Sequence, residues 1–164
     1  MKKIILLSIA ALGLTATPAS AGEEGGAYVG VGGAWLEDAG MAIFARGGYT
    51  FGQYFGVEAD GAFGVSDKSV GAAELGAKYS IAGYAVGRLP LGEQFDLIAR
   101  VGYHSTEIEA KAFGNTVSAT ADGIAYGGGA EYKIDGVNSI RADFTVFNDG
   151  GATNTASIAY IRRF

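Results

Sequence analysis

Apolar and polar side chains alternate along most of the chain from about residue 27 onward. The pattern is clearest over residues 43–65, where the odd positions outside one turn are apolar or glycine, while Arg46, Glu58 and Asp60 fall on even positions. A period of two residues is typical of strands that have one apolar and one polar face. The alternation therefore predicts an all-β chain in which each strand presents two different faces.

Carried along the whole chain, the same alternation predicts eight strands of about ten residues each. Strands of this length, tilted, cross the apolar core of a bilayer. Arg162 is the one charged residue on a predicted apolar face. The predicted strands cover residues 27–35, 41–51, 55–65, 77–89 and 95–106, a segment that ends at Tyr132, and residues 140–147 and 155–164.

Two connections differ from the short turns predicted elsewhere. Ser66 to Gly76 is polar and is predicted to be a loop. The fifth and sixth strands continue alternating up to Gly114-Asn115, a dipeptide that suits a tight hairpin turn. These two strands are therefore predicted to form one long hairpin that projects beyond the membrane.

Three other turns contain glycine and predict the register of the strands around them. Turns centred on Gly52, Gly92 and Gly136 place residues of opposite charge directly opposite each other. Directly opposed residues share a face and can pair. The predicted pairs are Arg46 with Glu58, Arg88 with Asp96, and Glu131 with Arg141.

The charged residues of the predicted strands form a nearly neutral inward-facing set. The interior of an eight-stranded barrel is wide enough only for side chains. We therefore expect a polar, side-chain-filled interior without an open pore, in which the charges have a structural role. This interior charge network comprises Arg46, Glu58, Asp60, Arg88, Asp96, Arg100, Glu131, Arg141 and Asp143, and the inward set also includes Lys78 and Arg163.

The N-terminal segment has the features of a secretory signal peptide. Lys2 and Lys3 precede an apolar run over Ile4 to Leu14, and Ala19-Ser20-Ala21 is a small-residue cleavage site. We expect residues 1–21 to be cleaved and residues 22–164 to form the mature barrel domain. A buried N-terminal helix is the alternative.

Composition narrows the class of partner. The chain has a net charge of −5, and the loss of Lys2 and Lys3 makes the mature chain more acidic, which argues against nucleic acid as a partner. It contains no cysteine, so disulfides and thiolate metal sites are excluded. No apolar helix of about 20 residues follows the signal segment, so a mature chain that enters a membrane must do so as a closed barrel.

Several segments resemble the hairpins of small bacterial outer-membrane barrels, the OmpA-barrel, OmpX and opacity-protein-like group. They are YTFGQYFGVEADGAFG, GRLPLGEQFDLIARVGYH, IAYGGGAEYKI and SIRADFTVF, and the resemblance extends over residues 26–164. It implies an eight-stranded antiparallel up-and-down transmembrane β-barrel in the bacterial outer membrane, in contact with outer-membrane lipid and lipopolysaccharide. The terminal residues Tyr160 and Phe164 resemble the aromatic signal that such proteins present to the outer-membrane insertion machinery. No peptidoglycan-binding domain follows the predicted barrel, so a wall tether is not expected.

For function, the sequence favours a non-catalytic structural or surface-interaction barrel without a cofactor or a metal site. The Thr106–Ala121 hairpin is the expected contact surface, and a solvated loop without a partner is the alternative for that segment. The acidic residues Glu107 and Glu109 within it and Asp122 next to it could bind divalent cations among lipopolysaccharide phosphates, but their spacing is not specific enough to predict a metal site.

Three other classes of function remain open. A small-solute channel is disfavoured by the crowded interior. A lipid-modifying enzyme would have to use His104 with Ser105 and Glu107, but alternation places His104 on the opposite face of the strand from the other two. A soluble periplasmic sandwich would need a second layer over the aromatic residues of every strand.

Overall fold

The computed structural model describes residues 25–37, 40–66, 68–70, 73–112 and 115–164, with side chains described outside residues 65–78 and 108–118. The predicted signal segment, Gly114, and the side chains of Lys78 and Glu109 lie outside the described part. In the described ranges, no helix is long and apolar enough to cross a membrane. The strands within these ranges are β1 (Gly26–Leu36), β2 (Gly40–Phe51), β3 (Phe55–Ser66), β4 (Lys68–Val70), β5 (Ala73–Pro90), β6 (Phe95–Ala112), β7 (Asn115–Lys133), β8 (Asn138–Asn148) and β9 (Ala152–Arg163).

Eight of these strands form a closed antiparallel barrel. Each pairs with its neighbours along the chain, β1 also pairs with β9, and β3 pairs with β5. The three-residue strand β4 pairs with the first described residues of β5 and adds to one rim. Closure leaves the barrel wall without a free sheet edge in lipid. The predicted up-and-down topology is confirmed.

The strands are strongly staggered around the barrel. From Arg46, the pairing runs through β3, β5 and β6 to Gly123 on β7. In the other direction it runs through β1, β9 and β8 to Lys133 on the same strand, ten residues from Gly123. A stagger of this kind tilts the strands by roughly 35–45° from the barrel axis. As a result, side chains that are distant in the ladder meet across the interior.

Burial is inverted relative to a soluble protein. Arg141 and Glu131 are completely buried, whereas Phe55 is 69% exposed and Val31 is 63% exposed. Exposed aromatic residues form a belt near the turn end, with ring centroids 5.0 Å apart for Phe95 and Tyr132. Since water does not contact the apolar outer surface of a membrane barrel, this arrangement is the one expected when lipid covers the outside.

The interior also contains two clusters of buried apolar residues. The first lies on β1, β2 and β9, and the second lies on β5, β6 and β7. One cluster contains Tyr28, Ala34, Phe44, Ala159 and Ile161. The other contains Ala82, Tyr84, Val86, Ile98 and Ala125.

Two of the three predicted registers are wrong by two residues. Arg46 lies opposite Asp60, and Arg88 lies opposite Ile98. The cause is the position of glycine in the turn. Gly52 and Gly92 have φ angles of +68° and +99°, and each lies one residue before the centre of its turn. The third register, Glu131 opposite Arg141, is confirmed because that turn does centre on Gly136.

At the end of the barrel opposite the short turns, the strands extend further than predicted. The segment predicted as a loop from Ser66 to Gly76 contains β4 and the start of β5. The long hairpin of β6 and β7 is present, but Ala112 pairs with Asn115, so Asn115 belongs to the strand and not to the turn. Pairing between strands at these positions provides hydrogen bonds for backbone N–H and C=O groups that would be bonded to water in a loop.

Candidate functional site

A layer of six charged residues, five of them buried and Asp60 half-buried, crosses the middle of the barrel and is called the central charge layer. Glu58 is its hub. The carboxylate of Glu58 lies 2.7 Å from Arg141 Nη1, 3.1 Å from Arg100 Nη1 and 3.2 Å from Arg46 Nε. Because β3 and β8 are on opposite sides of the ring of strands, the contact between Glu58 and Arg141 spans the barrel. The members are Arg46, Glu58, Asp60, Arg100, Arg141 and Asp143.

Arg46 joins three strands within this layer. Its Nε donates to Asp60 Oδ1 at 2.8 Å, and its Nη2 donates to Asp60 Oδ2 at 2.9 Å. Its Nη1 donates to Asp143 Oδ2 at 2.6 Å. A forked pairing of this kind is the strong geometry for an arginine with a carboxylate. Arg46 therefore fixes the distance between β2, β3 and β8.

Arg100 approaches the layer from β6. Its Nη1 lies 3.1 Å from Asp60 Oδ2, and its Nη2 donates to the hydroxyl of Thr145. Its guanidinium carbon lies 4.5 Å from the centre of the Tyr84 ring. Three arginines and three carboxylates therefore balance one another, so the layer is neutral as well as closely bonded.

A second group of charges lies nearer the turn end and is called the turn-side cluster. Arg88 Nη1 lies 2.7 Å from Asp96 and 3.2 Å from Glu131. Asp96 also forms a salt bridge with Lys133, whose Nζ lies 2.8 Å from Oδ1. Glu131 also forms a salt bridge with Arg163. Each acid of this cluster therefore has two cationic partners.

Several polar residues that the sequence analysis did not include in the charge network also belong to it. Tyr28 donates its hydroxyl to Glu58 at 2.7 Å, and Ser139 donates its hydroxyl to Glu131 at 2.5 Å. Lys133 and Thr145 are also partners of the buried charges. The parity of β1 already placed Tyr28 inside, but only the stagger of the strands shows which acid it reaches.

Above the central charge layer the interior opens into a cavity of about 240 Å³, which is called the mouth cavity. It lies at the end of the barrel opposite the short turns. Its wall includes Ala34, Ala42, Phe44, Ala62, Ala82 and Phe147, and Arg46, Asp60 and Arg100 line it from below. The interior is therefore filled at its centre and hollow at one end.

His104 lies in this upper region. It is 2% exposed, its Nδ1 lies 3.3 Å from Thr106 Oγ1, and its ring packs edge-on against Phe147 at 4.7 Å. Ser105, the adjacent residue, alternates to the other face of β6. Among the described residues, no group of three or more histidine, aspartate or glutamate side chains is arranged to hold a metal ion.

The sheet continues beyond the barrel on one side. β7 pairs with β6 over its full length, but its pairing with β8 begins at Ile124 opposite Asn148. Residues 115–123 of β7 therefore have no described partner strand on the β8 side, and this segment is called the β7 edge. On the other side of the projecting sheet, β4 pairs with β5. The segment predicted to be a contact surface thus includes a sheet edge that no described strand covers.

Of the two residues predicted to form the insertion signal, Tyr160 lies near the end of β9 and Phe164 directly follows it. Tyr160 is exposed on the outer surface, and its hydroxyl donates to Asn138 Oδ1. The backbone N–H of Phe164 donates to the carbonyl of Ala27 at 3.0 Å. The last residue is thus hydrogen bonded to β1 at the seam where the barrel closes.

Comparison of the sequence with protein families identifies the class of protein. The profile of the outer membrane protein beta-barrel domain matches residues 6–163. The chain belongs to this family, and it is a protein of the bacterial outer membrane. A search of curated proteins gives no match.

Solved structures share the fold at low sequence identity. The N-terminal β-barrel domain of OprF from Pseudomonas aeruginosa is 10% identical and aligns with a TM-score of 0.70 over 87% of this chain and 99% of that one. Ail, the attachment invasion locus protein of Yersinia pestis, is 16% identical, with a TM-score of 0.62 over 86% of this chain and 99% of that one. Neisserial surface protein A is 14% identical, with a TM-score of 0.62 over 85% and 97% of the two chains. At these identities the likeness supports the fold alone.

Proposed function

We propose that the protein is a non-catalytic barrel with a structural and surface-interaction role, and that its contact surface is the Thr106–Ala121 hairpin. The observation that carries this proposal is the β7 edge, where β7 extends past the last residue pair that it makes with β8. An edge strand offers a row of unpaired backbone N–H and C=O groups. Such an edge recognises an extended polypeptide segment, which adds to the sheet as a further strand.

The charge around the mouth restricts the partner. The exposed residues Glu37, Asp122 and Asp149 lie at this end. One solved structure of Ail holds sucrose octasulfate, a heparin analogue. A polyanion of that kind is disfavoured here because acidic groups repel it. We propose instead a neutral or basic peptide segment as the partner.

The edge is tested with two adjacent proline variants, Ala119→Pro and Thr120→Pro. In an edge strand, alternate residues direct the N–H outward, so one proline removes a free donor and the other removes a bond to β6. The parent chain, folded in detergent, is used to select from a displayed library of random peptides. We expect the selection to enrich peptides that bind the parent chain. The variant whose proline replaces an outward N–H should remain folded but should no longer bind these peptides. If no peptide is enriched, the hairpin is a solvated loop without a partner.

A small-solute channel is the main alternative. The central charge layer argues against it, because Arg46, Glu58 and Arg141 are buried and fill the cross-section. Conductance across a planar bilayer that contains the purified chain tests this directly. We expect no conductance above that of the empty bilayer, and resolved single-channel steps would contradict the proposal.

A lipid-modifying enzyme is disfavoured by geometry. A serine nucleophile needs its base within hydrogen-bond reach. The hydroxyl near His104 belongs to Thr106, at 3.3 Å. We therefore propose that there is no catalytic activity, and we expect lipopolysaccharide and phospholipid incubated with the folded chain to keep all of their acyl chains in mass spectra.

The same proposal includes export and assembly. Residues 1–21 act as a cleaved signal peptide, and residues 22–164 form the mature domain. Mass spectrometry of the exported chain is expected to show Gly22 at the N-terminus. Tyr160 and Phe164 present the signal to the insertion machinery, so Phe164→Ala should slow assembly by that machinery in proteoliposomes while folding into detergent is retained. We further propose that the outer surface contacts lipid and lipopolysaccharide without a dedicated metal site or cofactor.

A further inference from the structure

Arg162 is an exposed cation on the outer surface of the barrel, near the turn end. It lies on the outer face of β9, and its guanidinium makes no hydrogen bond or ion pair with any residue that the structure describes. The short turns of an outer-membrane barrel face the periplasm. Arg162 therefore presents its N–H donors at the periplasmic interface of the membrane.

An exposed carboxylate lies on the neighbouring strand side of this cation. Asn138 of β8 is directly opposite Arg162, so the two side chains begin about 5 Å apart on the same outer face. The side-chain amide of Asn138 donates to Asp135 Oδ2 at 2.8 Å and to Asp135 Oδ1 at 3.1 Å. Asn138 therefore links the carboxylate of Asp135 to the position of Arg162.

The two charges are near each other but are not bonded to each other. Hydrogen bonds from Asn138 and from the backbone N–H of Val137 lower the pKa of Asp135, and the charge of Arg162 lowers it further. Asp135 is thus ionised at neutral pH within the electrostatic influence of the guanidinium. In the described part of the chain no ion pair joins Arg162 and Asp135. One position on the outer surface therefore offers a cation and an anion to the same ligand.

Apolar residues continue from this position toward the middle of the membrane. Val29 lies opposite Arg162 on β1, and Ile140 lies opposite Tyr160 on β8. Val29, Ile140 and Tyr160 are exposed on the outer surface, and the hydroxyl of Tyr160 donates to Asn138 Oδ1. Tyrosines with an apolar ring in the membrane and a polar tip are typical of the level of the lipid head groups. An acyl chain can therefore lie along these residues when its head group is at Arg162.

The pair of charges restricts the head group. A guanidinium matches the geometry of a phosphate, and a carboxylate accepts hydrogen bonds from an ammonium. A zwitterionic head group with a phosphate and a primary ammonium satisfies both side chains. A head group with a phosphate and only hydroxyl groups gives Asp135 no cation and places a second negative charge beside it.

From these contacts we infer that Arg162 and Asp135 form a binding site for a phospholipid with an ethanolamine head group in the periplasmic leaflet. The phosphate binds Arg162, and the ammonium binds Asp135. The inference rests on the general lipid contact proposed above and names the class of lipid at one position of the outer surface. It is independent of the proposed role of the β7 edge.

Three lipids with the same short acyl chains test the inference. They are phosphatidylethanolamine, phosphatidylglycerol and diacylglycerol, titrated into the ¹⁵N-labelled chain in micelles of an uncharged maltoside detergent. The readout is the NMR signal of the Asn138 side-chain amide, which is opposite Arg162 and bonded to Asp135. We expect a saturable shift with phosphatidylethanolamine and none with diacylglycerol. Phosphatidylglycerol should bind roughly two- to fivefold more weakly, because one exposed ion pair is lost.

Substitutions assign each charge to its part of the head group. Arg162→Gln should weaken the binding of phosphatidylethanolamine about tenfold, the effect of losing a hydrogen bond between charged groups, whereas Arg162→Lys should keep most of it. Asp135→Asn should remove the preference for phosphatidylethanolamine over phosphatidylglycerol. Glu93→Gln, in the exposed turn between β5 and β6, is the matched control and should leave that preference unchanged. Heat-modifiable gel mobility shows whether each variant is folded.

The inference is overturned by any of three results. One is the lack of a saturable shift with phosphatidylethanolamine, which would mean that the two side chains bind water or each other. Another is equal or tighter binding of phosphatidylglycerol to the parent chain, which would show that Arg162 attracts anionic lipid without a contribution from Asp135. The last is unchanged binding in folded Arg162→Gln. Insertion of the parent chain into lipid vesicles measures the general lipid contact separately, so its failure is distinguished from failure of this site.

Discussion

The two halves of the barrel interior are built differently. The central charge layer and the turn-side cluster fill one half with paired ions, and Glu131 and Arg141 there are completely buried. The other half contains the mouth cavity, whose wall combines small and aromatic residues such as Ala62 and Phe44 with polar residues such as Thr153 and Ser157. The filled half holds strands together across the barrel, whereas the hollow half leaves space. The comparison indicates that the filled half contributes most to stability, whereas the hollow half can accept added side-chain volume.

The largest effect is expected when the hub of the filled half is removed. Glu58→Ala leaves Arg46, Arg100 and Arg141 without a shared carboxylate in a buried site. Loss of one partner from a buried ion pair costs about 3–5 kcal/mol. We expect a decrease of that size in the free energy of unfolding, measured with urea in lipid vesicles. Glu93→Ala, in an exposed turn, is the matched control, and equal stability of Glu58→Ala and parent would rule out the hub role.

The same substitution in the two halves sharpens the comparison. Ala159 is 2% exposed and packs with Tyr28, Phe44 and Ile161, so Ala159→Leu should overpack the interior and cost about 1–3 kcal/mol. Ala62→Leu extends into the cavity and should change stability by less than about 1 kcal/mol, since the added carbons replace empty space. Unfolding in urea measures both variants. A similar loss of stability in both variants would show that the cavity cannot accommodate the added side-chain carbons.

A smaller effect is expected in the turn-side cluster, because its pairing is redundant. After Arg88→Met, Asp96 keeps Lys133 at 2.8 Å and Glu131 keeps Arg163. The loss should be about 1 kcal/mol, the size of one net hydrogen bond. The double variant Arg88→Met with Lys133→Met should lose more than the sum of the single variants. Simple additivity would show that the two cations do not substitute for each other.

The smallest effect is expected in the turn between β7 and β8, outside both halves. Asp135 accepts hydrogen bonds from Asn138 Nδ2 at 2.8 Å and from the backbone N–H groups of Val137 and Asn138 at 2.8 and 2.7 Å. The Asn138 side chain and these N–H groups lower the pKa of Asp135 below its ordinary value of 3.8. A lowered pKa in the folded state stabilises the turn above the pKa of the unfolded chain, and this contribution is lost as pH falls through the folded pKa.

That pKa is measured from the pH dependence of the Asp135 carboxyl signal in NMR spectra. Asn138→Ala removes the side-chain donor and should shift the midpoint upward toward the ordinary value. Asn148→Ala, at the other end of β8, is the control and should leave the midpoint unchanged. A midpoint that does not move in Asn138→Ala would contradict the role of that side chain.

The alternation of side chains by itself determined the fold. A period of two residues places Arg46, Arg100 and Arg141 inside and Val31, Phe55 and Tyr103 outside, because successive side chains of a strand point to opposite faces. Closure followed, since lipid tolerates a sheet only when no edge is left unpaired. The register at Gly136 also followed from its turn.

Only the tertiary structure decided which residues meet. Gly52 and Gly92 adopt a left-handed conformation one residue before the centre of their turns, so two registers differ from the predicted ones, and Arg46 lies opposite Asp60 instead of Glu58. The tilt of the strands then brought Glu58 to Arg141 across the barrel. The mouth cavity depends on the summed volumes of side chains from most of the strands, and the pairing of Tyr28 with Glu58 depends on the stagger of the strands. Sequence spacing specifies the face of each residue, but distances across a closed barrel depend on stagger and packing, which no single segment contains.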